Sequence, residues 1–477
     1  MSVESIKKGG ALTDSVIDRL FHDLSELSYK VWEYAEVGLQ EHKSSAAESE
    51  YLVKHGFTIQ PNIGGMPSAF VAEWGTGKPV FGFLGEFDAL AGLSQEVSPE
   101  KKPLVPGAPG HGCGHNLLGV GAIGAAIALK EYLQENNLSG TVRYYGCPAE
   151  ETLCGKVFMA KAGVFDDLEV AITWHGGELN TVQMGSSNGV NSAKFTFLGK
   201  TAHAAGDPHN GRSALDAVEL MNIGANYLRE HVISQARVHY VITEGGGQPN
   251  VVPARAQVWY YVRAPHRSQV VEIYDRLMDV ARGAALMTGT TFEVEFLAGC
   301  YDVLPNYTLA NIALEQFREV GGPVLSPEEE AFALRLSESI DKKQKVEALK
   351  AMDAPKEVFE QVVNTTVIEP LDKGKTMAGS TDVGDVSWIV PTVQVSAACW
   401  PLGTPGHSWQ ITACSGHSLG MKGTVVAAKT MARTAVVLAN DPEAMKRVWS
   451  EFRERLGEDK YVSPIPDGVE PPLGQFR

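Results

Sequence analysis

Basic residues are outnumbered in this chain. Its 41 Lys and Arg stand against 57 Asp and Glu, a formal charge of −16, and the basic residues form no run. That balance argues against nucleic acid or an anionic membrane as partner, because both recruit concentrated positive charge. It leaves small substrates open, since their binding rests on a few local charges. Cysteine is also sparse, and six irregularly spaced cysteines in 477 residues make no disulfide framework. A reducing cytoplasm is the expected compartment, with Cys113 free to act as a thiolate. Long apolar runs are missing too: the longest near-continuous one, Leu117 to Leu129, is too short to cross a bilayer and is rich in Gly and Ala. Met1 to Thr13 carries two lysines with no apolar stretch behind them, so it does not read as a secretory signal. Internal repeats and low-complexity tracts are absent from the sequence.

At 477 residues with 44% apolar content, the chain is too long for one ordinary core. Two domains, or one large α/β domain with an insertion, are expected. Apolar positions at helical spacing, such as Val16, Leu20, Leu24, Leu27 and Val31, predict two opening helices over Ser15 to Phe57, parted near Glu36-Val37-Gly38. After a short strand near Ala69 to Trp74, the run Pro79 to Leu84 is apolar without alternation, as suits a strand buried on both faces. The same grammar recurs: a helix from about His115 to Gln134, the strand Thr141 to Gly146, a helix from about Lys156 to Ala162, and the strand Val170 to Trp174. Val393 to Cys399 is a further buried strand, Met421 to Leu438 reads as the closing helix, and Pro464 to Phe476 as a Pro/Gly-rich tail.

Between about Ser187 and Leu304 the pattern changes. Alternating segments such as Ala193 to Phe197 and Gln257 to Val262 predict half-buried antiparallel strands, with amphipathic helices at Ser213 to His231 and Ser268 to Met287. The expected architecture is therefore α/β: a mixed-sheet domain over 1–187 and 305–477, interrupted by an α+β insertion over 188–304. Pro323 to Glu360 is highly charged and reads as a solvated helical excursion without chemistry.

The candidate chemistry sits where strands of the first domain end, the usual ligand edge of an open α/β sheet. In Gly110-His111-Gly112-Cys113-Gly114-His115-Asn116, glycines let the backbone turn tightly before a helix whose N-terminus faces the thiolate. A structural cysteine beside a satisfied histidine is the other reading of that motif alone. The adjacent carboxylates Glu150 and Glu151 follow a buried strand and Pro148, and two neighbouring carboxylates there call for a cation. One can ligate while the other handles protons. His175 and His407 are each weak alone, but with Cys113, His115 and Glu151 they complete five candidate ligands for a dinuclear metal site. Asp88 is a candidate for orienting a ligand histidine, or else a helix cap.

These motifs resemble the aminoacylase and carboxypeptidase superfamily of dinuclear metallohydrolases, in the amidohydrolase branch that contains hippurate hydrolase and the auxin-conjugate hydrolases. The resemblance rests on Cys113-Gly114-His115, Glu150-Glu151, His175 and His407, and further on Gly85 to Ser94, Ser380 to Trp388 and Gly403-Thr404-Pro405. The branch usually has Asp where this chain has Asn116. The resemblance implies a phosphorylase/hydrolase-like metallopeptidase domain with a ferredoxin-like inserted dimerisation domain, a homodimer or a heterodimer with a related chain, and two divalent ions, Zn or Mn. It implies hydrolysis of N-acyl amino acids, with p-aminobenzoyl-glutamate or a similar aromatic acyl amino acid as the expected substrate. Glu150 would be general base and then acid. His203, in Lys200 to Ala205, would polarise the scissile carbonyl from the partner's inserted domain, and Asn250 and Arg263 would hold a substrate carboxylate. Without the resemblance, His203 reads as a capping imidazole and Arg263 as a strand-end surface charge. A dipeptidase or carboxypeptidase on the same scaffold, and a non-catalytic member of a larger assembly, are the rival functions.

Overall fold

Val16, Leu20, Leu24, Leu27 and Val31 all lie on one buried face of the first helix, α1 (Val3–Tyr34). It begins well before the predicted start at Ser15. The computed structural model describes residues 3–474, so Met1 and Ser2 of the N-terminal segment, and Gln475 and Phe476 of the tail, lie outside the described residues.

In chain order there follow α2 (His42–Lys54), β1 (Thr58–Pro61), β2 (Phe70–Thr76), β3 (Val80–Glu86), α3 (His115–Glu135), β4 (Gly140–Cys147), α4 (Gly155–Lys161), β5 (Val170–Gly177) and β6 (Thr181–Val182). The inserted domain comprises β7 (Gly189–Leu198), α5 (Ala214–Leu228), β8 (Arg237–Glu244), β9 (Arg255–Ala264), α6 (Arg267–Thr288) and β10 (Thr291–Cys300). The chain then returns through α7 (Tyr307–Val320), α8 (Pro327–Ser337), α9 (Lys342–Ala351), α10 (Lys356–Phe359), α11 (Val383–Ser387), β11 (Thr392–Ala398), α12 (Trp409–Ser415), α13 (Ser418–Asn440) and α14 (Pro442–Leu456).

The main sheet has the order β1-β2-β4-β3-β5-β11-β6. Its central pairs, β4/β3, β3/β5 and β5/β11, are parallel, while β1/β2, β2/β4 and β11/β6 are antiparallel. Every residue of β3 is buried, as its unbroken apolar run requires. One face packs against α1, α3 and α13, and the other carries α4 and the segment through Ile465. The fold is thus a mixed α/β sheet between helical layers, and its four parallel strands end on one edge. The smaller sheet, order β10-β7-β9-β8, has α5 and α6 on one face, a ferredoxin-like βαββαβ arrangement.

Two expectations change. α3 runs 21 residues and is long and apolar enough to cross a membrane, but 89% of its apolar window is buried in the protein core. Met421 to Leu438 is not the closing helix, because α14 follows it after a turn capped by Asp441. The Pro/Gly-rich tail is docked on the body, with Ile465 buried and Lys161 Nζ donating to Pro466 O; just ahead of it Tyr461 Oη donates to Asp385 Oδ1 at 2.9 Å.

A buried carboxyl beneath α3 yields a stability prediction. Glu48 accepts a hydrogen bond from Tyr144 Oη at 2.5 Å, and its Oε1 has no partner. Burial pushes its pKa up from 4.5 to about 8, against a smaller opposing effect of the Tyr144 hydrogen bond. The folded state therefore keeps a proton that the unfolded chain releases near 4.5, so this site costs stability as pH rises from about 4.5 to about 8. Glu48→Gln, which has no proton to lose, is expected to gain several degrees of Tm relative to wild type between pH 5 and pH 8. A Tm difference that stays flat over that range would show that Glu48 is not held protonated.

Candidate metal centre

The parallel strand ends bring four separate motifs together. Cys113 lies in the turn before α3, and Gly114 caps that helix with φ 82°, in the left-handed region that favours glycine. The other flanking glycine, Gly112, serves close packing, since a Cβ there would lie 2.3 Å from Leu93 Cδ1. Glu150 and Glu151 occupy a short 3₁₀ turn after β4, between Ala149 and Leu153, both with φ of 56°. The buried Glu41 holds this kink by accepting the Ala149 amide at 2.8 Å through Oε1 and the Ser68 hydroxyl through Oε2. His175 lies within β5 rather than after it. His407 sits in the loop between β11 and α12, also at positive φ, 49°. Strained backbone gathered at one place is a mark of functional sites.

Cys113 is the shared member of two donor sets. Its Sγ forms one with His115 and His175, and another with Glu151 and His407, the donor atoms in each set lying within 4.8 Å of one another. Cys113 Sγ is 3.4 Å from His175 Nε2, and His407 Nε2 is 3.4 Å from Glu151 Oε2. The rings of His115 and His175 meet edge to face. All five sequence-predicted ligands thus converge.

The donor chemistry suits a pair of divalent cations. His115 Nε2 and Glu151 Oε1 are buried without a hydrogen bond, although Glu86 Oε2 lies 3.3 Å from the former. Buried polar atoms are rarely left so unless something else occupies them. His115 Nδ1 donates to Asp88 Oδ1 at 2.7 Å, which fixes the tautomer that leaves Nε2 free to ligate. Asp88 Oδ2 accepts the Glu151 amide at 2.9 Å, so this carboxylate orients two donors at once and caps no helix. Burial alone would raise Asp88, but the neighbouring His115 holds it below its ordinary value.

Glu150 differs from Glu151 in its surroundings. Burial, then the charges of Glu86, Asp382 and Glu151, push its pKa well above the usual carboxylate range. That raised proton affinity suits a group that takes up a proton. Beside it lies a cluster that was not legible as a unit. The amine of the fully buried Lys156 is 2.5 Å from Glu86 Oε1 and 2.6 Å from Asp382 Oδ1. Burial works against the Lys156 charge, but Asp382 and Glu86 outweigh it and keep the amine protonated. Glu86 and Asp382 both stand in segments that carry the family resemblance, and a Glu ending the apolar run of β3 was the available signal.

Other predicted residues lie elsewhere. His203 is exposed on the smaller domain, where Nδ1 accepts the Ala205 and Gly206 amides at 3.2 and 3.0 Å, and its backbone pairs with Val251. Asn250 is exposed beside it and accepts the Ala204 amide through its carbonyl. Neither joins the donor sets of this chain. Arg263 is no free surface charge: it is half-buried, with its guanidinium 5.4 Å over the Tyr261 ring and Nη1 donating to Ser380 Oγ at 3.2 Å. Asn116 serves packing: its Nδ2 donates to Ser28 Oγ and to the Ser415 carbonyl, and the second of these contacts is one that an aspartate oxygen could not make. His111 is turned into the core, where its ring nitrogen bonds the Val31 carbonyl.

A cavity of about 540 Å³ opens from the donor cluster, with Cys113, His175 and His407 at its wall. Ala351 and Met352, at the end of α9, also line it. The charged segment is therefore not a solvated excursion: Leu349 and Val358 are buried in a small core with Leu179, Ile368 and Leu402, and this core backs the cavity.

Comparison with known proteins agrees with this architecture. Residues 186–286 match the peptidase dimerisation domain family. The chain is 42% identical over 473 residues to a p-aminobenzoyl-glutamate hydrolase subunit of Escherichia coli K12, covering 96% of this chain and 98% of that protein. It is 28% identical to the mouse Xaa-Arg dipeptidase, covering 94% of this chain and 93% of that protein. Among solved structures, a Bacillus subtilis dinuclear metal-binding peptidase of the M20 family superposes with a TM-score of 0.57 at 18% identity, covering 89% of this chain and 99% of that one.

Proposed function

From the premise that the chain belongs to the M20 family of metal-dependent hydrolases, together with the p-aminobenzoyl-glutamate hydrolase of Escherichia coli, we propose that it cleaves the amide bond of aromatic N-acyl amino acids, p-aminobenzoyl-glutamate foremost. The observation that carries this reading is the Cys113-centred pair of donor sets opening into an apolar cavity. Cys113, His115, Glu151, His175 and His407 would hold two divalent ions, Cys113 being the residue common to both donor sets. Zinc suits the Cys and His donors, and manganese is admitted by the carboxylate. Bound there, such ions lower the pKa of a water from about 15.7 toward neutrality and polarise the scissile carbonyl.

The chain's own groups do the rest. Asp88 keeps the proton on His115 Nδ1 so that Nε2 points into the cluster. Glu150 takes a proton from the attacking water and delivers it to the leaving nitrogen. His203, exposed and outside the donor sets of its own chain, is assigned to the site of a partner molecule, where its imidazole would stabilise the developing oxyanion. Asn250 and Arg263 are assigned to the amino-acid carboxylate. The partner is a second copy or a related chain, in keeping with the Escherichia coli relative's being one subunit of its enzyme. Six free cysteines among the described residues support a reducing, cytoplasmic setting.

A substrate panel tests the reading. With chain reconstituted in Zn, Mn or Co, aromatic acyl-glutamates are expected to exceed dipeptides in kcat/KM by roughly tenfold or more, the discrimination one well-matched pocket supplies. The Xaa-Arg dipeptidase relative favours a second reading, and faster cleavage of arginine dipeptides would install it.

A further inference from the structure

The walls of the cavity beside the donor cluster are mainly apolar: Leu179, Met352, Leu371, Met377, Trp400 and Ile411 line it. Such walls suit a flat, uncharged group. Three charged side chains also reach the cavity, namely Glu178, Asp372 and Lys375. Two of them are engaged. Both oxygens of Asp372 accept backbone amides, from Met184 and Gly185, and Lys375 Nζ lies 3.0 Å from Asp353 Oδ2. Glu178 is different: its Oε2 accepts the Gly403 amide at 2.8 Å, which fixes the carboxyl group, and its Oε1 is left as an acceptor. Burial pushes the Glu178 carboxyl up from 4.5 to about 7, against smaller opposing effects of the Gly403 amide and Lys345, so no full cation is demanded of a ligand.

We propose that this cavity receives the acyl half of the substrate, and that Glu178 Oε1 accepts a hydrogen bond from an amino substituent on an aromatic acyl ring. Met352 and Leu371 supply the apolar walls around that ring. The inference rests on the amidohydrolase reading above and deepens it: Glu178 becomes a specificity residue that separates aminoaryl from plain aryl acyl groups. The amino-acid half then lies on the other side of the scissile bond, away from the apolar walls.

The test compares kcat/KM for 4-aminobenzoyl-glutamate and benzoyl-glutamate, using metal-loaded full-length chain. Wild type is expected to prefer the amino compound by roughly three- to tenfold, as for one net hydrogen bond. Glu178→Ala is expected to bring that ratio close to one, and Glu178→Gln, which keeps an acceptor oxygen and the Gly403 contact, to retain part of it. A ratio unchanged in Glu178→Ala, or equal losses on both substrates in both variants, would overturn the assignment and leave the amidohydrolase reading standing. If wild type cleaves neither benzoyl compound but cleaves dipeptides, the amidohydrolase reading itself falls, and the assignment with it. Met352→Ala gives an independent check on the pocket: KM is expected to rise several-fold for both benzoyl substrates, and unaltered KM values would place the acyl ring elsewhere.

Discussion

Glu150→Gln is expected to lower kcat by roughly two or more orders of magnitude while leaving the metal content of the protein unchanged. Glutamine has nearly the shape of glutamate but cannot take a proton, so the substitution isolates proton transfer from packing. The site gives a physical reason to expect this of Glu150 and not of Glu151. Glu151 belongs with Cys113 and His407, whereas Glu150 belongs to no set containing Cys113. Desolvation first, then the charges of Glu86, Asp382 and Glu151, raise the proton affinity of its carboxyl. The same residue can therefore take the proton from water and release it to the leaving amine. Turnover near wild type in Glu150→Gln would remove it from the mechanism. Loss of metal along with activity would make it a ligand instead.

Cys113→Ala is expected to abolish both metal retention and turnover. Sγ is the one atom common to the two principal donor sets, and its removal leaves only His115 and His175 on one side and Glu151 and His407 on the other. Two donors rarely hold a divalent ion through dialysis. The fold should tolerate the change, because the neighbouring turn is set by Gly112, by Gly114 and by the packing of α3, none of which uses the sulfur. Elemental analysis of the dialysed variant reads the outcome. Two ions still present per chain would show that the thiolate does not bridge.

Much of this centre was legible in the sequence because the donors are marked locally. Cys113 and His115 stand in glycine at a helix start, and Glu150 and Glu151 follow an unbroken apolar strand, so their neighbours announce an edge of the sheet. The Lys156 cluster was hidden for the opposite reason. Its members come from β3, α4 and the start of α11, and nothing local to Lys156 distinguishes a buried amine from a surface one. The cavity wall was hidden likewise. In α9 and α10 only Leu349 and Val358 are buried, so charge dominates the pattern although the segment backs a pocket. The strands β1 and β8 were missed because both are sheet edges: β1 has no buried residue and β8 only one, so neither carries a clear alternation.

A Cys113-centred pair of metal ions is what would make this chain an amidohydrolase for aromatic acyl amino acids. The most direct measurement titrates metal-free protein with Zn or Mn while following hydrolysis of p-aminobenzoyl-glutamate. Activity is expected to rise with added ion and to reach its plateau at about two equivalents per chain, as a dinuclear site requires. Full activity in the metal-free protein, or no hydrolysis at any loading, would contradict it.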